Sequence, residues 1–531
     1  MTMFRLKNII LSSALLLHPA AALSTQNNPE CIQWGACAYN TNKTALPVVC
    51  GNVSVPLDYT DKGSNESIVL QLVRVSAVAG PSKGSILFNF GGPGGEGQQS
   101  LILNADLLMN VTGGEHDLVA FDPRGTGTTI PFSCYENATA ALPNQLQYPD
   151  IGANSSDTAL GTVWARATLT DSVCAGAPGN KTGELIGTAF VARDFISVVD
   201  ALKEDGMLRY WGISYGSLLG ATIASMFPER IDKLIIDGVL NAHEYYRGFE
   251  AENFRDTDKL FSAFIKECAD SKCPLARGNV TAVDLEAKVY GLFDALKYNP
   301  MPYLGFMIDY SFVKSITFRS IYWPSQWPDL AMLLDSLLTG NLEALLTNQI
   351  VLDLLKPGAV DITPALTGIW CSDASVRTAK LADLRPSIDA LMAASKLSGD
   401  LYAPLASRCA QWPFAAKERY AGNFTAKTHH PIMLIGNTLD PITPLFSAHN
   451  MSAGFEGSVV LEQRGYGHTT LAQASACSAN AIREYFRTGK LPEPGTVCEV
   501  DDKQIFKPAN SSTAASAPSV ARRFVHGRRF L

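Results

Sequence analysis

A chain of 531 residues with 47% hydrophobic and 18% charged residues has the material for a large buried core and is too apolar to be disordered. Its 43 basic and 50 acidic side chains give a formal charge of -7, which argues against a nucleic-acid partner. The length exceeds the usual limit of one core, a limit that one large α/β core with an inserted subdomain would also exceed.

Residues 1–24 read as a secretory signal peptide: Arg5 and Lys7 precede an apolar run from Ile9 to Leu17, and small residues follow through Ala20-Ala21-Ala22. The run is shorter than the ~20 apolar residues that span a bilayer, and no later segment replaces it, so no stable membrane anchor is expected. Secretion also fits the cysteines and the N-x-[ST] sequons at Asn42, Asn52, Asn65, Asn110, Asn137, Asn154, Asn180, Asn279, Asn423, Asn450 and Asn510. The 11 cysteines lack zinc-site spacing and read as disulfides, with Cys268–Cys273 and Cys477–Cys498 as local pairs and one thiol left over.

From Gly51 to Tyr59 and from Ser67 to Val75 the chain has two β-rich runs split by the turn Asp61 to Asn65, expected to form an antiparallel sheet edge. Short apolar runs at 85–90, 117–121, 209–213 and 233–237 follow, bounded by turn residues and separated by helical sequence. That alternation is the mark of parallel strands in an α/β fold. Before the third of these runs, Val191, Phe195, Val198, Val199 and Leu202 form one helical stripe against the sheet.

After Val239 the pattern becomes helical, as at 258–269 and 330–346, with aromatic residues at Tyr303, Tyr310, Tyr322, Trp323 and Trp327. Such aromatics read either as a pocket wall or as plain core. Strand-like runs return at 431–436 and 458–461. The division is therefore 25–240 for the first part of the core, 241–428 for a helical lid and 429–507 for the core's C-terminal part. A Ser/Ala-rich and then basic stretch, 508–531, reads as a disordered tail.

The chemistry centres on Gly212-Ile213-Ser214-Tyr215-Gly216, a G-x-S-x-G pattern between a strand and a helix. A sharp turn there needs small neighbours and presents Ser214 as a nucleophile at a helix N-terminus. A serine needs a base. Among the histidines only His468 follows a strand in a glycine-flanked loop, Gly465-Tyr466-Gly467-His468. The base needs an orienting carboxylate, and Asp440 ends a β-run in a loop stiffened by Pro441 and Pro444. The order Ser, Asp, His is that of α/β-hydrolases. An oxyanion hole needs two backbone N–H groups, one from Tyr215 and one from the loop Gly91-Gly92-Pro93-Gly94-Gly95.

Together with Asp122-Pro123-Arg124-Gly125-Thr126-Gly127 and the D-P-x-T-P ending at Pro444, these motifs resemble secreted α/β-hydrolases similar to tripeptidyl aminopeptidases, larger relatives of prolyl aminopeptidases with a TAP-like C-terminal segment. The resemblance spans about Cys37 to Cys498. It implies the α/β-hydrolase fold and a serine exopeptidase acting on peptide N-termini, with Ser214, Asp440 and His468 as the triad and Gly92 as the second oxyanion donor. It implies neither cofactor nor metal, and gives Asp122 and Arg124 structural roles. The chain departs in having Phe90 where many relatives have histidine. The relatives use lid glutamates to hold the substrate amine; none aligns here, Glu244, Glu250 and Glu252 are the nearest acidic candidates, and a solvated helical face is the favoured reading of the three. A secreted carboxylesterase or small-metabolite hydrolase is the alternative, since the fold does not fix the substrate.

Overall fold

The computed structural model describes residues 31–137, 139–141, 151–176, 182–354 and 363–506. The expected signal peptide and basic tail lie outside the described residues. The described residues contain eleven strands: β1 (Val48–Pro56), β2 (Ser67–Val75), β3 (Ser85–Asn89), β4 (Asp117–Phe121), β5 (Leu208–Ile213), β6 (Ile231–Asp237), β7 (Met301–Tyr303), β8 (Phe306–Ile308), β9 (Met433–Leu439), β10 (Val459–Tyr466) and β11 (Val497–Glu499). Nine form one sheet in the order β1-β2-β4-β3-β5-β6-β9-β10-β11, while β7 and β8 pair separately. β2 runs antiparallel to β1 and β4, and every other pairing in the large sheet is parallel. This is the α/β-hydrolase fold, with the expected antiparallel edge.

The strands differ in exposure as their positions require. β3 and β5 are buried along their whole length because helices cover both faces, whereas β1 and β2 largely alternate buried and exposed residues. The helix Thr188–Leu202 presents Val191, Phe195, Val198 and Val199 to the sheet as the sequence predicts, and Leu202 at its end is half-buried. One apolar cluster lies under Phe195, Tyr210 and Leu219, and another, on a different set of sheet residues, under Phe88, Trp211 and Ile435.

Between β6 and β9 the regular elements among the described residues are helices apart from the β7–β8 hairpin, and they pack a separate apolar core around Phe261, Phe264 and Trp327. Trp327 and Tyr310 belong to that core, whereas Tyr322 and Trp323 face a cavity. The helix expected over 330–346 spans Trp327–Thr339 instead. Gly340, at φ 71°, takes the left-handed conformation that stops it. β11, only three residues long, carries too little periodicity to be read from sequence.

Five disulfides join Cys37–Cys50, Cys134–Cys174, Cys268–Cys273, Cys371–Cys409 and Cys477–Cys498, including both local pairs expected. Cys31 is the free thiol and is exposed. Every sequon asparagine that falls among the described residues is also exposed. No helix among the described residues is long and apolar enough to cross a membrane.

Candidate active site

The carboxyl ends of β3, β5, β6, β9 and β10 meet at one edge of the sheet, where open α/β sheets bind ligands. Ser214 follows β5 at φ 60° and ψ -123°, backbone angles that are costly for any residue with a Cβ. Three contacts hold it there. Its N–H donates to Asp237 O (2.9 Å), its carbonyl accepts from Ser217 N (2.7 Å), and the Tyr210 hydroxyl donates to Gly216 O (2.8 Å). The glycines are forced by contact rather than flexibility. A Cβ on Gly212 would collide with Gly216 O, and one on Gly216 with Asn89 O. Gly212→Ala is therefore expected to destabilise the fold by about 3 kcal/mol, the upper range for overpacking, read as a lowered denaturant midpoint at unchanged m-value.

The Gly-rich loop after β3 lies against this turn. A Cβ on Gly91 would sit 2.6 Å from Ile213 O, 2.9 Å from Ser214 Cβ and 3.0 Å from Tyr215 N. Gly91 N–H is used by Asn89 Oδ1 (3.0 Å), which leaves the next residue, Gly92, to face the cavity beside Ser214. Asp122 and Arg124 hold the neighbouring loop. Asp122 accepts from Gln98 and Thr128, and Arg124, fully buried, makes a two-pronged bond to Asp194 (2.7 and 2.7 Å) and donates to three carbonyls.

Asp440 and His468 are brought together across β9 and β10. His468 Nδ1 lies 3.1 and 3.0 Å from the two Asp440 oxygens. Asp440 also accepts from Ile442 N (3.0 Å), Thr443 N (2.9 Å), Thr443 Oγ1 (2.7 Å) and Thr469 N (2.9 Å). Burial opposes its charge, but His468 and these donors outweigh burial and hold the carboxyl below its ordinary value.

The histidine loop has further supports that motif reading does not reach. Asn437 Nδ2 donates to Gly467 O (2.8 Å) and Thr469 O (2.7 Å), clamping both neighbours of His468. Asp237 accepts from Thr470 N (3.0 Å) and from the Thr470 hydroxyl. The helical insertion supplies the last support, since His468 N–H donates to Tyr322 O (2.8 Å).

Ser214 and His468 open on one cavity of about 200 Å³, walled by Tyr245, Phe318, Tyr322, Trp323, Trp370 and Tyr402. Glu250 lines it too. The solvated face expected for Glu244, Glu250 and Glu252 is not what forms. Gly248, at φ 84°, ends the helix Ala242–Arg247 and turns the chain inward. Glu250 is 5% exposed, Glu252 bonds Ser447 and Asn450, and Glu244 accepts from Glu252 N. Glu250 Oε2 accepts from Asn253 (2.7 Å), and Oε1 has no hydrogen-bond partner among the described residues. Burial, then the nearby Glu244, pushes the Glu250 carboxyl well above the usual range.

Comparison with known proteins agrees with this architecture. Residues 84–274 match the family model for the alpha/beta hydrolase fold, and residues 395–498 match that for TAP-like protein, a match beginning in the last helices before β9. The chain is 25% identical over 496 residues to Serine protease Hip1 of Mycobacterium tuberculosis, covering 88% of this chain and 91% of that protein. It is 26% identical over 495 residues to Tripeptidyl aminopeptidase of Streptomyces lividans, covering 88% and 86%. Carboxylesterase B of Mycobacterium tuberculosis is 26% identical over 471 residues, covering 85% and 86%.

Proposed function

The chain is a serine hydrolase with the α/β-hydrolase fold and a TAP-like C-terminal segment, and from that premise we propose that it is a secreted exopeptidase that removes residues or short peptides from peptide N-termini. Ser214 attacks the carbonyl, and His468 takes the proton and returns it to the leaving amine. Asp440 holds the imidazolium, and the N–H groups of Gly92 and Tyr215 bind the oxyanion. The helices between β6 and β9 act as a lid that selects the bond.

The observation carrying the exopeptidase reading is Glu250, a carboxylate buried in the wall of the cavity that holds Ser214, with one oxygen unpartnered. An unpaired buried acid is costly unless a cation meets it, and a free peptide α-ammonium is such a cation. Similarity to a serine protease and to a tripeptidyl aminopeptidase supports a peptide substrate. The five disulfides and the exposed sequons support an extracellular setting. The largely apolar wall favours a second reading, a small-ester hydrolase, in keeping with the similarity to a carboxylesterase.

N-acetylation of the peptide decides between them. An exopeptidase loses turnover of the blocked peptide, whereas an esterase keeps its rate on a neutral ester and shows no preference for the free amine. Glu250→Gln should raise KM for free-amine peptides by one to two orders of magnitude, as for loss of a buried charge partner, and leave simple esters within about twofold. The pH dependence follows in sign. Glu250 must ionise to hold an ammonium, and its value is raised, so KM for free-amine peptides should fall as pH rises through that raised value. An ester measured in parallel should show no such fall.

A further inference from the structure

One buried carboxylate has no part in the triad or the cavity wall. Asp373 ends the helix Thr363–Asp373 in the insertion and is fully buried. Its Oδ1 accepts from Thr188 N (3.0 Å), and its Oδ2 accepts from Thr188 Oγ1 (2.5 Å) and from the Tyr245 hydroxyl (3.1 Å). Thr188 Oγ1 lies 2.6 Å from the Tyr215 hydroxyl. Because the Thr188 hydroxyl spends its proton on Asp373, it must accept from Tyr215, which fixes the direction of the chain: Tyr215 to Thr188 to Asp373. Tyr215 is the residue directly after the nucleophile.

We propose that Asp373 is a positioning residue that holds Tyr215, and through it the oxyanion-binding N–H, in register with Ser214. The inference rests on the reading of Ser214 as nucleophile. Tyr215 is the first residue of the helix Tyr215–Met226, and its ring is buried, so anchoring the far end of the ring constrains the backbone at its near end. The anchor is itself immobilised. Cys371, two residues earlier, is tied to Cys409, and Ser372 donates to Gly183 O (3.0 Å) and accepts from Trp412 Nε1 (3.0 Å).

Asp373 stays behind the cavity wall and touches it only through Tyr245. Tyr245 and Trp370 both line the cavity and stack at 5.7 Å, and the Tyr245 ring lies 6.0 Å from that of Tyr215. Burial pushes Asp373 up to about 6, offset in part by the donors from Thr188 and Tyr245, and those donors match the ionised form.

An oxyanion donor serves any acyl carbonyl, so a positioning defect should lower kcat for peptide and ester alike without disturbing binding. Asp373→Asn is expected to lower kcat on the order of tenfold on both, below the hundredfold that an ångström of misplacement can cost, with KM within about twofold. Tyr215→Phe, which removes one hydroxyl and little else, should give a similar loss, and the double variant should be no worse than the weaker single. Thr188→Val should match them, and Thr188→Ser should recover most of that loss. A peptidyl trifluoromethyl ketone, which forms the tetrahedral oxyanion, should bind more weakly by the same factor as kcat falls.

Full activity in Tyr215→Phe, or losses that multiply in the double variant, would overturn the proposal, as would a defect expressed in KM alone. Fluorophosphonate labelling of Ser214 is run alongside. Labelling or turnover that persists in Ser214→Ala brings down the underlying reading, whatever Asp373 does.

Discussion

Ser214→Ala is expected to lower kcat by about 10⁶-fold while leaving the protein folded and able to bind substrate. The magnitude is that of losing a nucleophile whose partners work only through it; what remains is oxyanion stabilisation and binding, on the order of 10³ over water. Folding should survive because alanine bears the same Cβ and the same strain at φ 60° as serine. The strain itself gives a sharper test. Ser214→Gly removes a Cβ from backbone angles that cost roughly 1–3 kcal/mol, less the ~0.5–1 kcal/mol entropic penalty of glycine. It should therefore raise the melting temperature while abolishing turnover. A glycine variant less stable than wild type would mean that the turn is not strained, and more than about 1% residual turnover in the alanine variant would remove Ser214 from the chemistry.

Asp440→Asn should cost about 10⁴ in kcat, and the reason lies in how fully the carboxylate is used. Asp440 accepts from three backbone N–H groups and one hydroxyl besides His468 Nδ1. An amide has one acceptor where the carboxylate has two, so its NH₂ must face donors on one side or the other. Keeping the bonds of Oδ1 points the NH₂ at His468 Nδ1 and drives the imidazole to the tautomer protonated on Nε2, which cannot act as base. The opposite flip sets the NH₂ against Ile442 N and Thr443 N, which costs about 1–3 kcal/mol for groups left unsatisfied.

The linkage to pH has a definite sign. The folded-state value of Asp440 is depressed, so its contribution to stability is present above the ordinary carboxylate value and is lost as pH falls through the folded value. Wild type should be more stable than Asp440→Asn near neutrality, and the gap should close in acid. A gap that is constant down to pH 2 would contradict this account of the loop.

What could be read in the sequence was chemistry held locally. The turn at Ser214 announces itself because Gly212 and Gly216 are required within two residues of the strained position, and the strands that lead to Asp440 and His468 begin as short apolar runs, Met433-Leu434-Ile435 and Val459-Val460-Leu461. Parallel strands buried on both faces are legible for the same reason, as β3 and β5 show. The burial of Glu250 and the role of Asp373 are not of this kind. Glu250 comes two residues after Gly248, where nothing in the local sequence sets it apart from an exposed glutamate, and the cavity it lines is walled by Phe318, Trp370 and Tyr402, which arrive from distant parts of the insertion. Asp373 meets Thr188 across 185 residues of chain. No local spacing encodes such a pairing, and only packing reveals it.

The carbonyl of Tyr322 has a consequence for exchange between relatives. It accepts the N–H of His468, and a side chain at Gly467 would collide with it. The insertion is thus a structural part of the His468 loop, and a chimera that grafts the corresponding helices of a relative onto this sheet would alter more than the cavity wall. Unless the graft presents a carbonyl at the position of Tyr322, the host histidine loses a backbone partner, and rate would change together with substrate choice.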